Sequence, residues 1–172
     1  LYRQANYEAL DIARGQISQA DALYEIAYQD FLLRVSERYF LVLTLIDGVT
    51  FAEAEEKAFQ RQFEQAEQRF EVGLTAVTDV HEARATYDNA RARAIVARNN
   101  LEDAKEALRE LTGQYFEEFD ALQEVLPLVE PDPIDADEWV NIALQSNPSV
   151  LSSRAAVDVA DANMRLARAG HF

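Results

Sequence analysis

The titratable and nucleophilic side chains of this sequence do not assemble into a catalytic set. There are two histidines and no cysteine, which excludes thiol chemistry, disulfides and cysteine-based zinc sites. Asp79, His81 and Glu82 are the one place where metal-ligating side chains crowd together, at the expected start of a helix; His171 lies at the chain end. Asp79 and His81 are two positions apart and do not share a helix face, which favours a solvated polar role over ligation. The run EEFDALQE at 117–124 reads as a solvated face rather than a carboxylate dyad. No Gly-rich phosphate loop and no Ser–His or Cys–His arrangement is present. The expectation is a protein without cofactor, metal or enzymatic role.

The 172 residues carry a formal charge of −15. That disfavours nucleic acid, whose binding needs basic side chains to release counterions, and anionic lipid. A solvated acidic face accounts for the charge; a cation-attracting field is the functional alternative. The longest apolar run, YFLVLTLI at 39–46, falls well short of the roughly 20 residues that cross a bilayer and reads as a core stripe. No secretory leader is read at the start, LYRQANYEAL.

The elements that must position these residues are long helices. Glycine and proline are scarce, five and four, while helix-favouring alanine, glutamate, leucine, glutamine and arginine abound. In the second long segment Val80, Ala83, Tyr87, Ala90, Ala94, Ala97, Leu101, Ala104, Leu108 and Leu111 recur at alternating steps of three and four. This is a heptad line for left-handed knobs-into-holes packing, and its alanines let a partner backbone come close. The first segment, from residue 1 to 72, offers Leu10, Ala13, Ile17, Ala20, Tyr24, Ala27 and Phe31. A phase shift at Val35 follows, then Val42, Leu45, Val49, Ala52, Phe59, Phe63, Ala66 and Phe70. Asp47–Gly48 is the single candidate for a bend. So long a run without punctuation points to a coiled-coil or barrel architecture.

Between the segments lies EVGLTAVTD, 71–79. Gly73 is placed to end the first helix at positive φ, with Leu74 folding back after it. Thr78 is the expected N-cap of the second helix and Thr75 the alternative, with Asp79 in the first turn. The second helix is expected to end near Leu111, with Gly113 just past its C-terminus. A short amphipathic helix at 114–126, a polar connector PLVEPDPID at 127–135, and a short helix capped by Asp135 or Asp137 and carrying Trp139, Ile142 and Leu144 should follow. Tyr115, Phe116, Phe119 and Trp139 are expected to lock the short helices in place. A last helix after Pro148 carries Val150 or Leu151, Ala155, Val159, Ala162, Leu166 and Ala169. The fold class is therefore all-α: a long antiparallel coiled-coil hairpin, residues 1–113 with its tip at 73–76, then short helices and a Pro-rich connector at 114–147, and the start of a further long helix at 148–172.

The ordered set RFEVGL at 69–74, TDV at 78–80 and ARNNLEDAKEALRELTG at 97–113 resembles the TolC family of bacterial outer-membrane channel proteins. The likeness extends from SERYFLVL at 36–43 to ALQSNPSVLSSRAAVDVADANMRLARAG at 143–170. It implies part of a TolC-like α-barrel, specifically the helical, periplasmic portion of the first of two repeats. Family members are outer-membrane trimers that form the exit duct for efflux or type I secretion with an inner-membrane pump and a periplasmic adaptor (membrane fusion) protein. By resemblance, Val72, Gly73, Leu74 and Thr75 match the tip that meets the adaptor. Thr78 and Asp79 match positions that tie neighbouring coiled coils together in the closed state. The tyrosine and arginine that partner them belong to the other repeat's hairpin, and neither that hairpin nor the membrane strands are found in this sequence. The competing reading is a helical scaffold or protein-interaction module with no channel. A duct wall packs on both sides, so small residues flanking the main line, such as Ala76, Ala85, Ala92 and Ala107, favour the duct.

Overall fold

The structure, a computed structural model, describes residues 4–122 and 129–169. Regular structure among them is helical throughout: α1 (Gln4–Glu71), α2 (Val77–Thr112), α3 (Ala136–Ser146) and α4 (Pro148–Ala169). The chain divides into two units. Unit 1 comprises Leu1–Leu33 and Glu124–Phe172; unit 2 is Arg34–Gln123. With 68 residues and no proline, α1 continues unbroken through Asp47–Gly48. Among the described residues no helix is long and apolar enough to cross a membrane.

In unit 2, α2 packs antiparallel on α1. All ten residues of the heptad line read on α2 are buried or half-buried. Val42 of α1 is fully enclosed and packs with Ala104 and Leu108, with Tyr39, Leu45, Ile46, Leu101 and Phe119 around them. Further along, Phe63 and Tyr87 stack with ring centroids 6.1 Å apart. The core is thin because most buried residues on α2 are alanine. Small side chains bring the helix axes close, and packing contacts accumulate along the line rather than in a thick centre. Arg98 bonds Glu53 at 2.8 Å and Glu56 at 3.4 Å, and Arg93 bonds Glu55 at 2.9 Å. Glu53, four residues before Lys57, is thus engaged by the facing helix.

In unit 1, α4 packs antiparallel on the first part of α1: Arg165 meets Glu8, and Val159 lies over Gly15. On α4 the line runs through Ser152, Ala155, Val159, Ala162, Leu166 and Ala169, matching the sequence reading and adding Ser152. On α1 that reading is overturned. Ala5, Glu8, Ile12, Gly15, Gln19, Ala22 and Ile26 are enclosed, while Leu10, Ala13, Ile17, Ala20, Tyr24 and Ala27 are exposed; Ile17 and Tyr24 are 62% and 66% accessible. Two lines with steps of three and four run along the same stretch. Hydrophobicity alone selects the wrong one, because the charge of Glu8 is answered by Arg165 and the missing side chain of Gly15 by Val159.

Gly113 closes α2 at φ 73°, its N–H bonded to the Arg109 carbonyl at 2.7 Å, as the left-handed C-terminal motif requires. The helix expected at 114–126 is absent through residue 122, which is irregular chain; residues 123–126 lie outside the described residues. Phe119 packs against Tyr39, with ring centroids 5.8 Å apart, and the Tyr39 hydroxyl donates to the Asp120 carbonyl at 3.2 Å. Those anchors hold an irregular segment where an isolated short helix would have to meet its own nucleation cost. In unit 1, the Asp135 carboxylate accepts from the Asp137 amide at 3.1 Å and caps α3. The Trp139 indole N–H donates to the Pro133 carbonyl and fastens the connector to that helix. Asn147 Oδ1 accepts from the Ser149 amide at 2.9 Å, so α4 starts from an Asn cap with proline in its first turn.

Candidate functional site

Of the six residues that the sequence singles out, Val72, Gly73, Leu74 and Thr75 lie in the segment joining α1 to α2, and Thr78 and Asp79 in the first turn of α2. Gly73 takes φ +74°. Its N–H bonds the Phe70 carbonyl at 2.9 Å, and the Leu74 N–H bonds the Arg69 carbonyl at 2.8 Å. This pair of bonds is the Schellman motif, and its left-handed residue is tolerated cheaply only by glycine. The apolar contact that often accompanies the motif is not formed. Its position on α1 is the charged Arg69, and Leu74 stays 71% exposed, with Val72 at 68%. Two apolar side chains therefore stand in solvent on either side of a glycine turn that closes α1 with two backbone bonds.

The start of α2 departs from expectation. The N-cap position is Ala76, with no side-chain cap bond, so neither Thr78 nor Thr75 caps it. Thr75 instead donates its hydroxyl to the Asp79 carboxylate, and the Asp79 amide bonds the Ala76 carbonyl at 3.1 Å. Asp79 holds its carboxyl below the ordinary carboxylate value. The Thr75 hydroxyl is the main cause, opposed by some desolvation and reinforced by the Ala76 backbone, the Thr78 side chain and the charge of Arg69. Donors aimed at a carboxylate favour its charged form, and the exposed amides of a helix's first turn add to the effect. The turn is thus a small polar clasp, Thr75–Asp79–Thr78, beneath an apolar pair, Val72 and Leu74.

Among the described residues no group of three or more His, Cys, Asp or Glu is placed to hold a metal. In unit 1 an open cleft is lined by Ser18, Asp21, Glu25, Arg154 and Asp158. Sequence reading did not find it, because its walls come from stretches more than a hundred positions apart in the chain. The polar partners Glu8 and Arg165 were missed for the same reason.

Comparison with known proteins identifies the family. Residues 2–114 match the family described as "Outer membrane efflux protein". The chain is 40% identical over its whole length to outer membrane protein TolC of Vibrio cholerae and 37% identical to that of Escherichia coli, covering 39% and 35% of those proteins. It is 32% identical over 90% of its length to the alkaline protease secretion protein AprF of Pseudomonas aeruginosa, covering 33% of it. The chain therefore spans between about a third and two fifths of the length of these curated relatives.

Proposed function

The chain belongs to the outer membrane efflux protein family, and from that membership we propose that it forms part of the periplasmic wall of a trimeric exit duct for efflux or secretion, with the α1–α2 turn as the docking tip for a periplasmic adaptor. The whole protein then sits in the outer membrane and works with an inner-membrane pump. The single observation that carries the docking role is the exposure of Val72 and Leu74 on the turn that two backbone bonds, from the Gly73 and Leu74 amides, close at the end of α1. Apolar side chains held rigidly in water offer contact area with little ordering cost on binding. The wall role is supported by lines of apolar and small residues left exposed at helix-packing spacing, Leu10, Ile17 and Tyr24 on α1 and Ala85 and Ala92 on α2. A helix in a closed ring must pack on two sides, and a lone hairpin has no use for the second line.

Thr78 and Asp79 are assigned to the closed state. Asp79 is ionised and exposed, so it is free to meet a cationic side chain of a neighbouring hairpin beyond the Thr75 hydroxyl it already holds. Two variants of the full-length protein test the reading. Leu74→Glu should abolish co-purification with the adaptor and sensitise cells to exported toxicants, while leaving the amount of folded protein unchanged. Asp79→Ala should raise single-channel conductance in a planar bilayer. Unaltered adaptor capture by Leu74→Glu removes the docking role, and wild-type conductance in a folded Asp79→Ala protein removes the closing role.

A further inference from the structure

Glu8 is the one charged side chain buried among the described residues, at 8% exposure. It stands on the contact line of α1 with α4, where a carboxylate is costly unless paired. Arg165 Nε donates to Glu8 Oε2 at 2.8 Å, and Arg165 Nη2 lies 3.9 Å from Asp11 Oδ2. One heptad along the same line is Gly15. A Cβ there would fall 2.7 Å from Val159 Cγ2, and the Val159 amide nitrogen and Ala155 carbonyl stand close behind. Of the four described glycines, only Gly15 has its missing side chain's space taken by a neighbour.

We propose that Glu8 and Gly15 act together as a register lock that fixes the axial position of α4 on α1. The rest of the line carries no other charge and is mostly small or aliphatic: Ala5, Ile12, Gln19, Ala22 and Ile26 on one helix, Ser152, Ala155, Ala162, Leu166 and Ala169 on the other. Such residues repack after a slip of one heptad, roughly 10 Å, at little cost. A slip in one direction sets Val159 against Ala22, whose Cβ fills the space that glycine leaves, and moves Arg165 to Gly15, so that Glu8 is buried without its cation. A slip in the other direction lays Val159 on Glu8 and again strips it of Arg165. One register satisfies both features and both neighbouring registers violate Glu8, which is how a lone polar residue in an apolar seam specifies alignment.

The test uses the full-length protein and pulsed electron paramagnetic resonance. This stretch has no cysteine, so spin labels at Ala27→Cys and Val157→Cys, both exposed, report the axial offset of the two helices. One narrow distance is expected. The pair Glu8→Leu with Gly15→Ala should add a second population displaced by roughly 10 Å. So should Glu8→Arg alone, and Glu8→Arg with Arg165→Glu should restore the single distance. An unchanged single distance in the first pair, or no rescue by the charge swap, overturns the lock. Should those proteins not fold, Glu8→Gln keeps the shape and removes the charge: a second population supports the lock and an unaltered distance overturns it. The readout needs no channel activity, so its outcome is separate from that of the duct proposal.

Discussion

The two helix contacts of this chain share a seven-residue repeat and differ in what fills it. In unit 2, α1 and α2 meet through Val42, Ala90, Ala94, Ala104 and Leu108, with ion pairs of Arg93 and Arg98 on the exposed flank. The buried positions of that line carry no polar side chain, and half-buried Glu56 beside them is held by Arg98 at 3.4 Å. In unit 1, α1 and α4 meet through small and aliphatic residues interrupted by buried Glu8, paired with the exposed Arg165, and by Gly15 against Val159. The first contact is smooth and draws its strength from burial. The second is keyed and obtains its alignment from two positions that a hydrophobicity scale would call poor. Stability and register are thus carried by different residues, and a repeat visible in the sequence reports only that packing occurs.

Substitutions at matched positions test that contrast. The largest effect is expected on the smooth line. Leu108 is 2% exposed, and Leu108→Ala should destabilise unit 2 by about 2–4 kcal/mol, read as a lower denaturant midpoint and faster amide exchange through α2. A loss below about 1 kcal/mol would mean that the thin core is not what holds the hairpin. Glycine substitutions come next and should differ in sign. Gly15→Ala forces a Cβ onto Val159 and should cost about 1–2 kcal/mol net of the better helix propensity. Gly48, with nothing within 4 Å of its absent Cβ, should gain roughly 0.5–1 kcal/mol as alanine. Equal effects at the two positions would erase the distinction between keyed and open glycines.

The smallest effects belong to exposed charges. Arg98→Ala removes a pair that water and salt already screen, so unit 2 should lose little, and less still at high ionic strength. Asp79 gives the pH dependence. Its folded carboxyl lies below the ordinary value, so its contribution is complete above the unfolded pKa and is lost as pH falls through the lower folded one. The tip should therefore be insensitive to pH near neutrality and loosen only in strong acid. A carboxyl NMR titration checks this, and Thr75→Val should move the Asp79 titration upward toward the ordinary range.

The sequence by itself determined the helical class, the turn at Gly73 and the line on α2. Scarce glycine and proline leave few places to stop, and an unbroken three–four spacing over ten positions has one geometric solution. It also determined Gly113 as a helix end and α4 as a helix with an alanine line, each from local rules of backbone and periodicity. Tertiary structure decided what local rules cannot rank. Leu10, Ile17 and Tyr24 make the more apolar line on α1, yet the enclosed one contains Glu8, Gly15 and Gln19. Its merit exists only once α4 brings Arg165 and Val159 to it from about 150 residues away. Thr75 likewise has the chemistry of a helix cap but spends its hydroxyl on Asp79. The helix that the sequence predicts over 114–126 is irregular chain through residue 122, where Phe119 and the Asp120 carbonyl find Tyr39 on a neighbouring helix. Periodicity is a property of one segment, whereas the pairing of a buried charge, a missing Cβ or a stray aromatic ring is a property of two.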